Sequence, residues 1–179
     1  DFTTLGDTLL CVWTAPHKDT EISAEDVKKL QASYAMGQDR TANQNILFLA
    51  DELVEILGRA LSPGINDPYT AINCINWFHS AIKAYMRASI PSPFRRDENG
   101  DVRVIAFPVS FERFLSVICD RSRPYICSDR NATLSMINIL TEAAVVAPTK
   151  AYRDLLHHQI ERFLKTAQES LPNILDRDE

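Results

Sequence analysis

The chain has 179 residues, 45% of them hydrophobic and 24% charged, with a formal net charge of −5. That length supports one domain burying roughly 70% of the surface its unfolded chain exposes, and the composition excludes disorder over most of it. The acidic balance argues against a general nucleic-acid binder, which needs a basic face, so no nucleic-acid partner is expected.

No stretch supplies the roughly 20 apolar residues of a membrane-spanning helix. The segment 48–61 is too short and is interrupted by Asp51, Glu52, Glu55 and Arg59. The chain opens in mid-pattern at Asp1, with neither an initiating Met nor a signal peptide, and is expected to be a fragment of a longer protein.

Thr8 to Trp13 reads as a short strand, set off by a Gly6-Asp7 turn and ended by Pro16. One strand cannot stand alone, so it is expected to pair with other polypeptide or with the hairpin below. A first helix is predicted from Ala24 to Gly37, with Ser23 as N-cap, Asp26 as its box-like partner and a stripe of Val27, Leu30 and Tyr34. A second runs from about Ala42 to Ala60 behind a Thr41–Gln44 capping box, and Ile46, Leu49, Leu53, Ile56 and Ala60 form its expected buried face. Ser62-Pro63-Gly64 breaks the helix. Asp67 caps a third, with Pro68 at its first position, running to Ala88 and buried through Ala71, Ile75, Phe78, Ile82 and Tyr85. The short break predicts an antiparallel helical hairpin.

Pro91 and Pro93 then end helical structure, and Asn99-Gly100 marks a turn between strands at Phe94–Arg96 and Asp101–Ile105. A fourth helix begins after Ser110, with Phe111, Phe114, Leu115 and Ile118 buried and Pro124 limiting its extent. A fifth spans about Ala132 to Ala147, with Leu134, Ile137, Leu140, Ala144 and Val145 on its apolar side. The last starts near Thr149 and carries Leu155, Leu156, Ile160, Phe163 and Leu164. The fold class is therefore mainly α: a compact multi-helix domain with a short N-terminal strand and a small β-hairpin. Residues 1–179 read as a single soluble domain or fragment with a helical core at about 23–173.

Complete catalytic motifs are not evident in the sequence. Cys11, Cys74, Cys119 and Cys127 read as free thiols, and the seven residues between the last two match no common zinc knuckle. No metal and no cofactor are expected. The acidic stretch from Asp97 to Asp101 lacks the calcium-loop pattern and reads as a solvated turn. His157 and His158 are adjacent, so they point about 100° apart on a helix. Ser62 lacks a nucleophile elbow. Trp77 is expected to widen the buried face of its helix, with an interface patch as the alternative.

The densest unusual group is the corner from Arg59 to Ala71. Its architectural role is to stop one helix and start another. Its functional alternative is a polar ligand-binding corner formed by Arg40, Arg59, Asn66 and Asp67, where helix N-terminal amides meet an anion.

The stretch Gly37-Gln38-Asp39-Arg40-Thr41-Ala42-Asn43-Gln44-Asn45, followed by Arg59-Ala60-Leu61-Ser62-Pro63-Gly64-Ile65-Asn66-Asp67-Pro68-Tyr69-Thr70-Ala71, resembles the domain of unknown function 2254 family of predicted bacterial membrane proteins. Positions 45 and 49 depart from its pattern, holding Asn and Leu where an acid and a glycine are usual. The resemblance implies several N-terminal transmembrane helices with this chain as the portion that follows, in the bacterial cell membrane and on the cytoplasmic side. The implied partner is the protein's own transmembrane region, with homo-oligomerisation as a further expectation. The leading functional expectation is a regulatory or assembly domain, non-enzymatic. A small-molecule or anion sensor and a hydrolase-like enzyme are the alternatives.

Overall fold

The computed structural model describes residues 3–13, 22–34, 37 and 45–171. The chain divides into two compact units, residues 1–43 and 44–179.

In the first unit the amide of Asp7 closes a turn onto the Thr4 carbonyl at 3.1 Å, with Gly6 at φ +101°. The expected strand at Thr8–Trp13 is a correction: these residues enter no ladder among the described residues. Leu9, Leu10 and Val12 instead line an apolar cavity of about 470 Å³ with Val27, Leu30 and Tyr34. Helix α1 spans Ala24–Ala32. Its cap is the expected one, the Ser23 hydroxyl accepting from the Asp26 amide at 3.1 Å and donating to the Asp26 carboxylate at 2.7 Å. It stops short of Gly37 because Ser33 folds back, donating its hydroxyl to the Leu30 carbonyl at 2.6 Å. Such a local bond competes with the helical ladder.

The second unit is helical apart from one hairpin. Helix α2 spans Ile46–Ala60, and Asn45 caps it through the Phe48 amide at 3.1 Å. The Thr41–Gln44 capping box lies outside the described residues. Helix α3 spans Pro68–Arg87, strand β1 Phe94–Arg96 and strand β2 Val102–Ile105. Helices α4, α5 and α6 cover Phe111–Ile126, Arg130–Val145 and Lys150–Ser170, capped by Ser110, Asp129 and Thr149. Helix α3 lies against α2 and α5, α4 against α2 and α6, and α5 against α6. The core they enclose is centred on Leu57, Phe78, Phe114, Met136, Leu156 and Phe163, each at 0% exposure. A ring of aromatics closes one side: Tyr85 stacks on Phe114 at 5.2 Å, and Phe111 meets Tyr152 at 4.3 Å.

Phe94 pairs with Ile105 and Arg95 with Val104, antiparallel, and every strand residue is exposed. The turn is held by Asp97, whose carboxylate accepts from the amides of Asn99 and Asp101, each at 3.0 Å, and from Arg103 Nε at 2.6 Å. Helix α4 continues past the proline expected to limit it. Pro124 lies in the last turn on the exposed side, where its ring meets no core.

The face of α2 is the main difference from expectation. Leu47, Ala50, Val54, Leu57 and Ala60 are buried, whereas Ile46, Leu49 and Ile56 are 39%, 46% and 46% exposed. At 100° per residue the two sets adjoin, making an apolar arc about half the circumference wide. Only the flank meeting α3 and α4 is covered. Gly58 belongs to the contact with α4, where an added Cβ would stand 3.3 Å from the Tyr125 ring. In α5 and α6 the predicted faces are likewise rotated at their edges, Val145 and Leu164 being exposed and Met136 and Gln159 buried.

The face assignment predicts unequal effects of one substitution on one helix. Leu57→Ala should destabilise the chain by about 2–5 kcal/mol, as a buried leucine does. Leu49→Ala should cost less than about 1 kcal/mol, because half the side chain is already in water. Urea unfolding of the two variants measures the difference.

Candidate functional site

The corner between α2 and α3 is built by its own hydrogen bonds. The Ser62 hydroxyl donates to the Arg59 carbonyl at 2.6 Å, the Asn66 amide to Ser62 O at 2.9 Å, and the Asp67 amide to Ala60 O at 2.8 Å. The left-handed residue is Asn66, at φ +49°, and not Gly64. Asparagine tolerates this region because its short polar side chain can bond locally. Asp67 then caps α3, accepting from the Thr70 amide at 3.1 Å and the Thr70 hydroxyl at 2.6 Å. Those bonds hold its carboxyl below the usual 3.8, the Thr70 hydroxyl being the largest cause.

The four sequence candidates fare differently. Asn66 and Asp67 are adjacent and occupied in the turn and cap. Arg59 is exposed and lies 3.5 Å from Glu55, one helical turn back. Arg40 lies outside the described residues. The helix N-terminus is satisfied by its own Asp67, so an anion would have to displace that carboxylate to reach the Thr70 amide.

Two further constellations lie outside the corner. Asp120 on α4 accepts from Ser116 Oγ at 2.6 Å, Arg123 Nη2 at 2.7 Å and Arg162 Nη1 at 2.6 Å. Arg123, 8% exposed, also donates to Gln159 Oε1 at 3.1 Å and lies over the Phe163 ring at 5.5 Å. The group cross-links α4 to α6. Burial pushes the Asp120 carboxyl up, but the Ser116 and Arg123 hydrogen bonds and the two guanidinium charges outweigh it and leave it below 3.8. Beside it, burial raises the Cys119 thiol far above its usual range and the Cys127 thiol to about 11, so both stay protonated and unreactive. On α3, burial holds His79 below 6.5 with help from Lys83, against the pull of Glu142 at 3.5 Å.

The second constellation is an apolar groove of about 350 Å³ between α2 and α3. Ile46, Leu49 and Leu53 form one wall, Trp77, Ala81 and Ala84 the other, and Phe78, Phe114 and Ile118 contribute to its lining. Trp77 is not in the core as expected; it is 66% exposed. The signal for it was present, since Trp77 lies off the continuous stripe of α3. Among the described residues no cluster of His, Cys, Asp and Glu is arranged to hold a metal.

The chain is a mainly helical protein with one small hairpin and an apolar groove between α2 and α3. The chain belongs to the predicted membrane protein family DUF2254, whose model matches residues 1–142. It is 26% identical over 178 residues to the uncharacterized proteins Rv1290c of Mycobacterium tuberculosis and Mb1321c of Mycobacterium bovis. The alignment covers 99% of this chain and 34% of each relative, so the chain spans about a third of their length. No solved structure matches it. Among the described residues, no helix is long and apolar enough to cross a membrane.

Two substitution sets test these local assignments. Asn66→Val should destabilise by about 1–2 kcal/mol, the penalty of a left-handed residue with a branched side chain. Gly64→Ala should be neutral or slightly stabilising, since open space surrounds its added Cβ and its φ is not positive. Asp120→Ala should cost about 2–3 kcal/mol by stranding the nearly buried Arg123. The wild-type contribution of Asp120 is present above the unfolded carboxyl pKa and lost as pH falls through its depressed folded value. The gap between wild type and Asp120→Ala in urea unfolding should therefore narrow below pH 3.8.

Proposed function

We propose that this chain is an assembly domain of a membrane protein, docking through the apolar α2–α3 face. The observation that carries the reading is the half-covered arc of α2. Ile46 and Leu49, with Trp77 across the groove from them on α3, are 39%, 46% and 66% exposed, although α2 also contributes Leu57 to the core. Contiguous apolar surface of this kind mark interaction sites on otherwise ordinary proteins. Membership of a predicted membrane protein family supplies the context, and the far greater length of the mycobacterial relatives supplies polypeptide for the face to meet.

The test uses the full-length protein in bacterial membranes. Leu49→Lys and Ala84→Glu each place a charge on the face without touching the buried core. The expected result is loss of the assembled species on native gels, with unchanged helical circular dichroism of the 179-residue chain. Assembly that survives both variants would contradict the reading.

The cytoplasmic side is the corresponding proposal for its location, taken from the family resemblance. Cys11 is exposed, whereas Cys74, Cys119 and Cys127 are buried. In intact cells Cys11 should therefore react with a membrane-permeant maleimide and not with an impermeant one. Labelling by the impermeant reagent would place the domain outside.

A further inference from the structure

We propose that His79, Lys83 and Glu142 form an acid-sensitive contact between α3 and α5, in which a proton taken up by His79 weakens the packing of the two helices. The inference goes beyond the assembly reading and does not depend on it.

The first observation is an orphaned atom. Among the described residues, His79 Nε2 is the one buried side-chain nitrogen or oxygen that makes no hydrogen bond. Such atoms are uncommon in folded proteins, because an unpaired buried polar group is destabilising. The imidazole sits at the edge of a dry seam. Ile75 and Ile82, one turn to either side of it on α3, are each 0% exposed, and so is Ala143, next to Glu142 on α5. A neutral ring leaves one bond unmade there. A charged ring is far costlier to withdraw from water.

The second observation is what the charge would meet. Glu142 Oε2 lies 3.5 Å from His79 Nε2 and 3.7 Å from Lys83 Nζ. Positions 79 and 83 are one turn apart on the same face of α3, so both side chains present to that carboxylate. With His79 neutral, Glu142 answers one cation. With His79 protonated, two cations share it. The Glu142 side chain is 64% exposed, so water screens what it can offer either of them. The only other charged residue of α5, Arg130, lies more than three turns away at its start. Helices α2 and α4 also pack on α3, but none of their described charged groups acts on His79.

The balance follows from these neighbours. Burial and then Lys83 hold the folded-state pKa of His79 below 6.5, and Glu142 opposes both without reversing them. The folded chain therefore binds this proton less readily than the unfolded chain does. The contribution of the neutral contact to stability is present above 6.5 and is lost as pH falls through the depressed folded value. Mild acid loosens the contact in the range where histidine switches work.

The experiment follows the imidazole signals of the 179-residue chain by NMR from about pH 7.5 to about pH 5, each assigned by through-bond correlation. The expected His79 midpoint lies below 6.5. Lys83→Met should raise it and Glu142→Gln should lower it, each by about 0.2–0.7 pH unit, the size of a partly exposed ion pair. Urea unfolding at the two ends of the range supplies a second readout: on acidification the wild type should lose more stability than His79→Gln. A midpoint at or above 6.5 overturns the proposal. A midpoint indifferent to both charge variants does so too, as does an equal loss of stability in wild type and His79→Gln. If His79→Gln does not fold, the two charge variants decide the matter, since their side chains are 30% and 64% exposed.

Discussion

Everything in the helical body depends on how α2 divides its apolar arc. Its inner flank, Leu47, Ala50, Val54 and Leu57, meets α3 and α4 and is withdrawn from water. Its outer flank continues the same hydrophobic surface into solvent. Burial of the inner flank supplies the favourable transfer free energy that folding needs, about 25 cal/mol for each Å² removed from water. The outer flank contributes less, because Ile46, Leu49 and Ile56 keep much of their surface in water and Leu53 is only partly buried against the core. The same helix thus supports the fold on one side and leaves unused apolar surface on the other.

The polar groups are arranged to make that division rigid. Asp51 on α2 is paired with Arg121 on α4, a polar link between the two helices. Gly58 lets the Tyr125 ring approach the helix closely. At the corner, Asn66 supplies the left-handed turn and Asp67 the cap, so α3 returns beside α2 in one register. Asp120, Arg123 and Arg162 tie α4 to α6. The corner residues that first suggested ligand chemistry are used in this way by the fold, and the outward groove is what the fold leaves open.

Much of the architecture was legible from local chemistry. The caps at Ser23 and Asp67 are where they were expected, helices start after Ser110 and near Thr149 as their apolar periodicity indicated, and the Asn99-Gly100 turn joins the two predicted strands. The buried face of α3 also followed from spacing, because only one of its faces is continuously apolar. Helix α2 defeats that logic: two stripes adjoin, and periodicity cannot say which one a neighbour will cover. The strand expected at Thr8–Trp13 failed for a related reason. An apolar run between turn residues describes a segment suited to a ladder, but a ladder needs a partner backbone. The Asp120 group was invisible because its members come from α4 and α6, 42 residues apart at Arg162, and nothing local marks their convergence.

The most direct measurement is hydroxyl-radical footprinting of the dilute chain, read residue by residue along α2. The account predicts modification at Ile46, Leu49 and Ile56, with protection at Leu47, Val54 and Leu57. Protection of the first set and modification of the second would mean that α2 is rotated to bury the other flank, and the docking face described here would not exist.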